Sequence, residues 1–85
     1  MKIQLRFFAS VREKLGMSEQ VAEVPEQVRT VAEVRAWLCA RGEVWAEVLA
    51  AGQPLRTAYN LQMCEPETAI SEGCEVAFFP PVTGG

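Results

Sequence analysis

The chain offers very little side-chain chemistry. Its 85 residues include no histidine and no aspartate, and its three cysteines, Cys39, Cys64 and Cys74, lie far apart in sequence. Without histidine, neither a Ser–His nor a Cys–His nucleophile system can be assembled. No C-x-x-C pair is present, so the spacing suits neither a zinc site nor a dithiol redox centre. Each thiol falls in an apolar or alternating segment, where cysteine packs as a small core side chain. The eleven acidic residues are all glutamates scattered along the chain, and no general acid–base pair stands out among them. What remains is the end of the chain, FPPVTGG (79–85), where the carboxylate of Gly85 is the only charge.

The residues before that carboxylate suit presentation. Pro80 and Pro81 cannot continue a central ladder and favour an extended polyproline form, so they direct the chain out of a sheet. Six extended residues reach about 20 Å. Val82 and Thr83 carry modest side chains, and Gly84 and Gly85 carry none, so the tip fits a narrow channel. A carboxylate is a poor electrophile until activated, and activation as an acyl-adenylate requires ATP and a cation-rich site. The chain has neither a G-x-x-x-x-G-K-[ST] nor a G-x-G-x-x-G segment to supply one. The residues therefore point to a carrier that binds no metal or cofactor itself and whose terminus is loaded by a separate, ATP-consuming protein. An ordinary unstructured end is the other reading of the same residues.

The preceding elements must hold that tail. Residues 2–8 alternate, with Ile3, Leu5 and Phe7 on one face, and predict a half-buried strand. Residues 9–16 predict a short helix through Val11 and Leu15, with Ser10 as its cap and Gly16 as its stop. Residues 20–24 predict a second strand framed by Val21 and Val24. The strongest helix lies at 30–41, where Thr30 and Glu33 form a capping box and Val31, Val34 and Leu38 share a face. A shorter helical segment follows at 43–50. Residues 55–60 and 61–65 predict two short strands joined by a tight turn near Asn60–Leu61. The last strand, 74–79, has Val76 and Phe78 on one face and Ala77 and Phe79 on the other. Apolar residues on both faces imply a central strand, or one whose outer face meets another molecule. The expectation is an α+β fold: a mixed five-stranded sheet with one main helix across one face, a domain over 1–79 and an extended, flexible tail over 80–85.

Composition narrows the partners. The net charge of −3 gives no cationic footprint for nucleic acid or an anionic membrane. No run approaches the roughly 18 apolar residues of a membrane span, and no secretory signal opens the chain. The odd cysteine count then suits a reducing compartment, so a cytoplasmic location is expected. Lys2, Arg6, Arg12 and Lys14 cluster near the start, whereas Glu65, Glu67, Glu72 and Glu75 lie near the end. If the first and last strands are parallel neighbours, these segments neutralise each other; otherwise the acidic end is a docking surface.

EGCEVAFFPPVTGG (72–85) resembles the C-terminal signature of the molybdopterin synthase small-subunit family, and FFASVREKLG (7–16) is similar to that family's first strand and following helix. The resemblance implies a ubiquitin-like β-grasp. It implies that Gly85 is adenylated by a ubiquitin-activating-type enzyme and thiocarboxylated with sulfur derived from cysteine. It also implies that Pro80, Pro81, Val82, Thr83, Gly84 and Gly85 insert into the large subunit to deliver sulfur to cyclic pyranopterin monophosphate. The assembly implied is a heterotetramer, with Phe79 and Ala77 as contact surface. Within the same resemblance, a carrier for thiamin or thionucleoside synthesis and a ubiquitin-like protein modifier are the alternatives. Two departures from the family pattern are Cys74 after the last turn's glycine and Tyr59 before Asn60.

Overall fold

The computed structural model describes residues 1–81; Val82, Thr83, Gly84 and Gly85, four of the expected tail residues, lie outside the described residues. The elements in chain order are β1 (Lys2–Phe7), α1 (Ala9–Leu15), β2 (Glu19–Glu23), α2 (Val31–Cys39), α3 (Glu43–Val48), β3 (Arg56–Tyr59), β4 (Gln62–Met63) and β5 (Glu75–Phe79). The five strands form one mixed sheet in the order β2-β1-β5-β3-β4. β1 and β5 are parallel at its centre, and the other pairs are antiparallel. This is the β-grasp arrangement, with α2 as the main helix over one face.

Period-two alternation in the central strands divides the sheet cleanly. Ile3, Leu5 and Phe7 of β1 and Val76 and Phe78 of β5 are at most 1% exposed and meet Val31, Val34 and Leu38 of α2 in one core. Phe7 stacks on Phe78 and meets the edge of Trp45, with ring centroids 6.2 and 5.7 Å apart. Cys74, where the family pattern has a polar residue, is buried in this core as a small apolar side chain. Tyr59 packs against the same core, and its hydroxyl lies 2.7 Å from Ser71 Oγ.

The start of α2 is satisfied twice over. Glu33 N donates to Thr30 Oγ1 (3.2 Å), and Thr30 N donates back to Glu33 Oε1 (3.1 Å), completing the capping box. The connection between β4 and β5 then accepts the next donors, Val31 N to Thr68 O and Ala32 N to Pro66 O. A helix otherwise leaves its first four N–H groups without partners. Thr30→Ala removes the side-chain acceptor and is expected to cost about 1 kcal/mol. For a domain of this size that lowers the melting temperature by about 4–8 °C, measurable by thermal denaturation.

Three local features differ from the sequence expectation. Ser10 does not cap α1: Phe8 occupies that position without a side-chain cap bond, and Ala9 follows at φ 52°. The reason is pairing, because Phe8 N donates to Phe78 O and Phe8 O accepts from Val11 and Arg12, so the helix starts directly from the strand. In β2 the residue facing the core is Ala22, opposite Ile3, while Val21 points outward and is 58% exposed. Val21 and Ala22 are adjacent and both apolar, so period two alone does not decide which of them faces the core. Finally, β4 is reduced to two residues.

Two arginines fix the corner between α2 and β3. Arg35 donates to the carbonyls of Leu49, Ala50 and Gln53, closing the chain that follows α3. Arg41 stacks on Trp37 and Trp45, 5.1 and 4.5 Å from their ring centroids, and donates to Gln20 Oε1. Partial burial against these rings pulls the Arg41 pKa down from its ordinary value, although a guanidinium remains charged across the physiological range.

Candidate functional site

No described helix is long and apolar enough to cross a membrane. Among the described residues, no group of three potential His, Cys, Asp or Glu metal ligands gathers. The three thiols are free; Cys39 Sγ donates to Leu49 O, and Cys64 lies beside Thr57. The feature that stands out is the sheet face opposite α2, which none of the described elements covers.

β5 carries the chain to this face and ends there. Its outward residues are Glu75, Ala77 and Phe79, placed beside Arg6 of β1 and Ala58 and Arg56 of β3 by the strand register. Ala77 is only 4% exposed because the flanking strands crowd its short side chain, so it forms the floor of a groove. Phe79 and Phe8 form one wall, their rings edge to face with centroids 6.4 Å apart. Met63 and Leu61, 61% and 81% exposed, form the opposite side, and the groove has a volume of about 630 Å³.

Pro80 and Pro81 border this groove and also form one wall of a smaller cleft of about 160 Å³, whose other walls include Val11, Lys14, Val48 and Pro54. Both prolines are half-buried, so the tail leaves the sheet between two recesses. The sequence-derived site residues therefore divide: Ala77, Phe79, Pro80 and Pro81 converge on one surface, while Val82 to Gly85 lie outside the described residues.

Electrostatics across this surface reflect the central pairing of β1 with β5. Arg6 and Glu75 approach to 3.5 Å, and the Arg6 guanidinium also lies 5.3 Å from the Phe8 ring centroid. At the other end of β1, Lys2 N donates to Glu72 Oε1 and Lys2 O accepts from Gly73. The basic first segment and the acidic last segment are thus neighbours. Within the ion pair, Arg6 Nε and Glu75 Oε2 are buried without a hydrogen-bond partner in the described chain.

Phe8, Leu61 and Met63 were not singled out from sequence. A weak signal was present, since Leu61 and Met63 alternate within LQMCE, but their meaning depends on strand order. Only when β3 lies between β5 and β4 do these residues join the surface at the root of the tail.

Known proteins resemble this chain over nearly its whole length. The chain is 37% identical to a molybdopterin synthase sulfur carrier subunit of Haemophilus influenzae over 83 residues, covering 98% of this chain and 99% of that protein. It is 40% identical to the protein of the same name from Escherichia coli, with the same coverage of both. A solved complex of subunits 1 and 2 of molybdopterin-converting factor from Helicobacter pylori contains a chain of similar fold, with a TM-score of 0.67, 23% identity and full coverage of both chains. The ThiS family model matches residues 5–85. Running from within β1 to residue 85, that match places the chain in the ThiS family.

Proposed function

We propose that this chain is the sulfur-carrier subunit of a molybdopterin synthase. The observation that carries this reading is near-full-length similarity to two proteins of that name, at 37% and 40% identity. The uncovered apolar face around Pro80 and Pro81 supports it, because a tail that enters another protein needs a docking surface at its root. Burying a Phe, Leu or Met side chain contributes about 1.5–3 kcal/mol, so this groove supplies affinity without involving the tip. The orphaned polar atoms of Arg6 and Glu75 suit a face completed by another molecule.

In this reading the carboxylate of Gly85 attacks the α-phosphorus of ATP on a ubiquitin-activating-type enzyme, releasing pyrophosphate and forming an acyl-adenylate. Sulfide-level sulfur derived from cysteine displaces AMP, so a C–S bond forms as the bond to the adenylate oxygen breaks. The thiocarboxylated tail, Pro80 to Gly85, then enters the large subunit. There its sulfur bonds to a carbon of cyclic pyranopterin monophosphate as an oxygen substituent leaves, and water hydrolyses the resulting thioester, returning the terminus to a carboxylate. Two such deliveries build one dithiolene. The carrier contributes presentation, and the catalytic groups belong to its partners.

The test is reconstitution of the thiocarboxylated chain with the large subunit of the same organism and the pterin substrate. Dithiolene formation in proportion to carrier is expected. Conjugates between this chain and lysines of other proteins, with no dithiolene formed, would instead identify a protein modifier.

A further inference from the structure

The turn joining β3 to β4 violates two local rules at one residue. Tyr59 pairs with Gln62 across the hairpin, leaving Asn60 and Leu61 as a two-residue loop. Both adopt positive φ, 48° and 71°, the left-handed geometry of the turn that fits the twist of a hairpin. Asn60 suits its position and is tied to the central strand: its N–H donates to Glu75 O (2.9 Å), and its Oδ1 accepts from Glu75 N (2.8 Å). Leu61 does not suit its position. Glycine is preferred there, and a Cβ in the left-handed region crowds the following carbonyl.

Leu61 gains nothing in return from the fold. It is 81% exposed, the most exposed large hydrophobic residue among those described. A leucine both strained and wet has no stabilising role in the isolated chain, and departures of this kind concentrate at functional positions. Its surroundings indicate the role. Leu61 lines the same groove as Met63, Ala77, Phe79 and the two prolines. A protein that draws in the tail must approach along this groove, since Pro80 and Pro81 form part of its border.

We propose that Leu61 is a docking anchor that enters an apolar recess of the large subunit and extends its contact from the tail root to the hairpin tip. The identity of that partner rests on the function proposed above. Anchors of this type dominate binding energy when a partner fully covers them. The strained turn holds the side chain outward in advance, so little ordering is lost on association.

Leu61→Gly and Leu61→Asn, two residues that tolerate the left-handed region, test the proposal. A leucine that supported the fold would lower the melting temperature when removed. A docking anchor leaves it unchanged or raises it by about 2–5 °C as the strain is relieved. The dissociation constant for the large subunit, measured by calorimetry, is expected to rise about tenfold in both variants. Parental affinity in both variants, or a lowered melting temperature in both, overturns this inference alone. Failure of the parent chain itself to bind the large subunit overturns this inference and the proposed function together.

Discussion

Removing Gly85 is expected to abolish sulfur transfer and to leave the melting temperature within about 2 °C of the parent chain. The two halves of that result have separate causes. Gly85 has no side chain, and every buried core residue among those described lies at or before Phe78, so the deletion removes none of that packing. A substitution or deletion away from packed or hydrogen-bonded features changes stability by about 0.5 kcal/mol or less. The chemistry is affected completely, because the proposed reactive carbon is the carboxyl carbon of Gly85. A shortened tail still ends in a glycine carboxylate, but at about 3.5 Å less reach, which in a catalytic site forfeits the reacting geometry.

The experiment pairs a thermal melt with single-turnover transfer, and the sulfur must be localised to the C-terminal peptide. Intact mass alone would mislead, since oxidation of Met1, Met17 or Met63 changes the mass by nearly the same amount as exchanging oxygen for sulfur. A truncated chain that still transfers sulfur at the parent rate sinks the carrier reading. A truncated chain that unfolds would show that the tail supports the fold.

How much of this could be read from the residues depended on whether the signal was local. The alternation of Ile3, Leu5 and Phe7, and of Val76 and Phe78, assigned the core faces of β1 and β5 correctly because these side chains all enter the one core shared with α2. The α2 start was legible because Thr30 and Glu33 carry their own hydrogen-bonding pattern. The face of β2 was not, since Val21 and Ala22 are both apolar and only the register with β1 decides between them. The α1 start was masked because strand pairing by Phe8 overrides the capping preference of Ser10.

The site was legible to a similar degree and for the same reason. Phe79 and the two prolines follow one another in sequence, so their shared surface could be anticipated. Phe8, Leu61 and Met63 reach that surface from other strands, and the β1-β5-β3-β4 order brings them together. Arg35, which anchors the segment after α3 through three carbonyls, has no local signature at all.

That same alternation separates stability from binding at two adjacent phenylalanines. Phe78 is fully buried and stacked on Phe7, so Phe78→Ala is expected to cost about 3–5 kcal/mol. Against a total stability of about 5–15 kcal/mol for small domains, this lowers the melting temperature by about 15–30 °C. Phe79 lies on the other face, half-buried, with its ring edge to face with Phe8. Phe79→Ala is expected to cost only about 1 kcal/mol in stability. In the proposed complex, however, it removes an aromatic wall of the docking groove, which weakens binding to the large subunit by about 10- to 100-fold. Melting curves and calorimetric titration of the two variants together decide the matter. The expected pattern is a chain that binds poorly because it is partly unfolded, beside a chain that is folded and binds poorly. If Phe79→Ala retains parental affinity, the uncovered face is not the docking surface, and the tail must be taken up without help from the sheet.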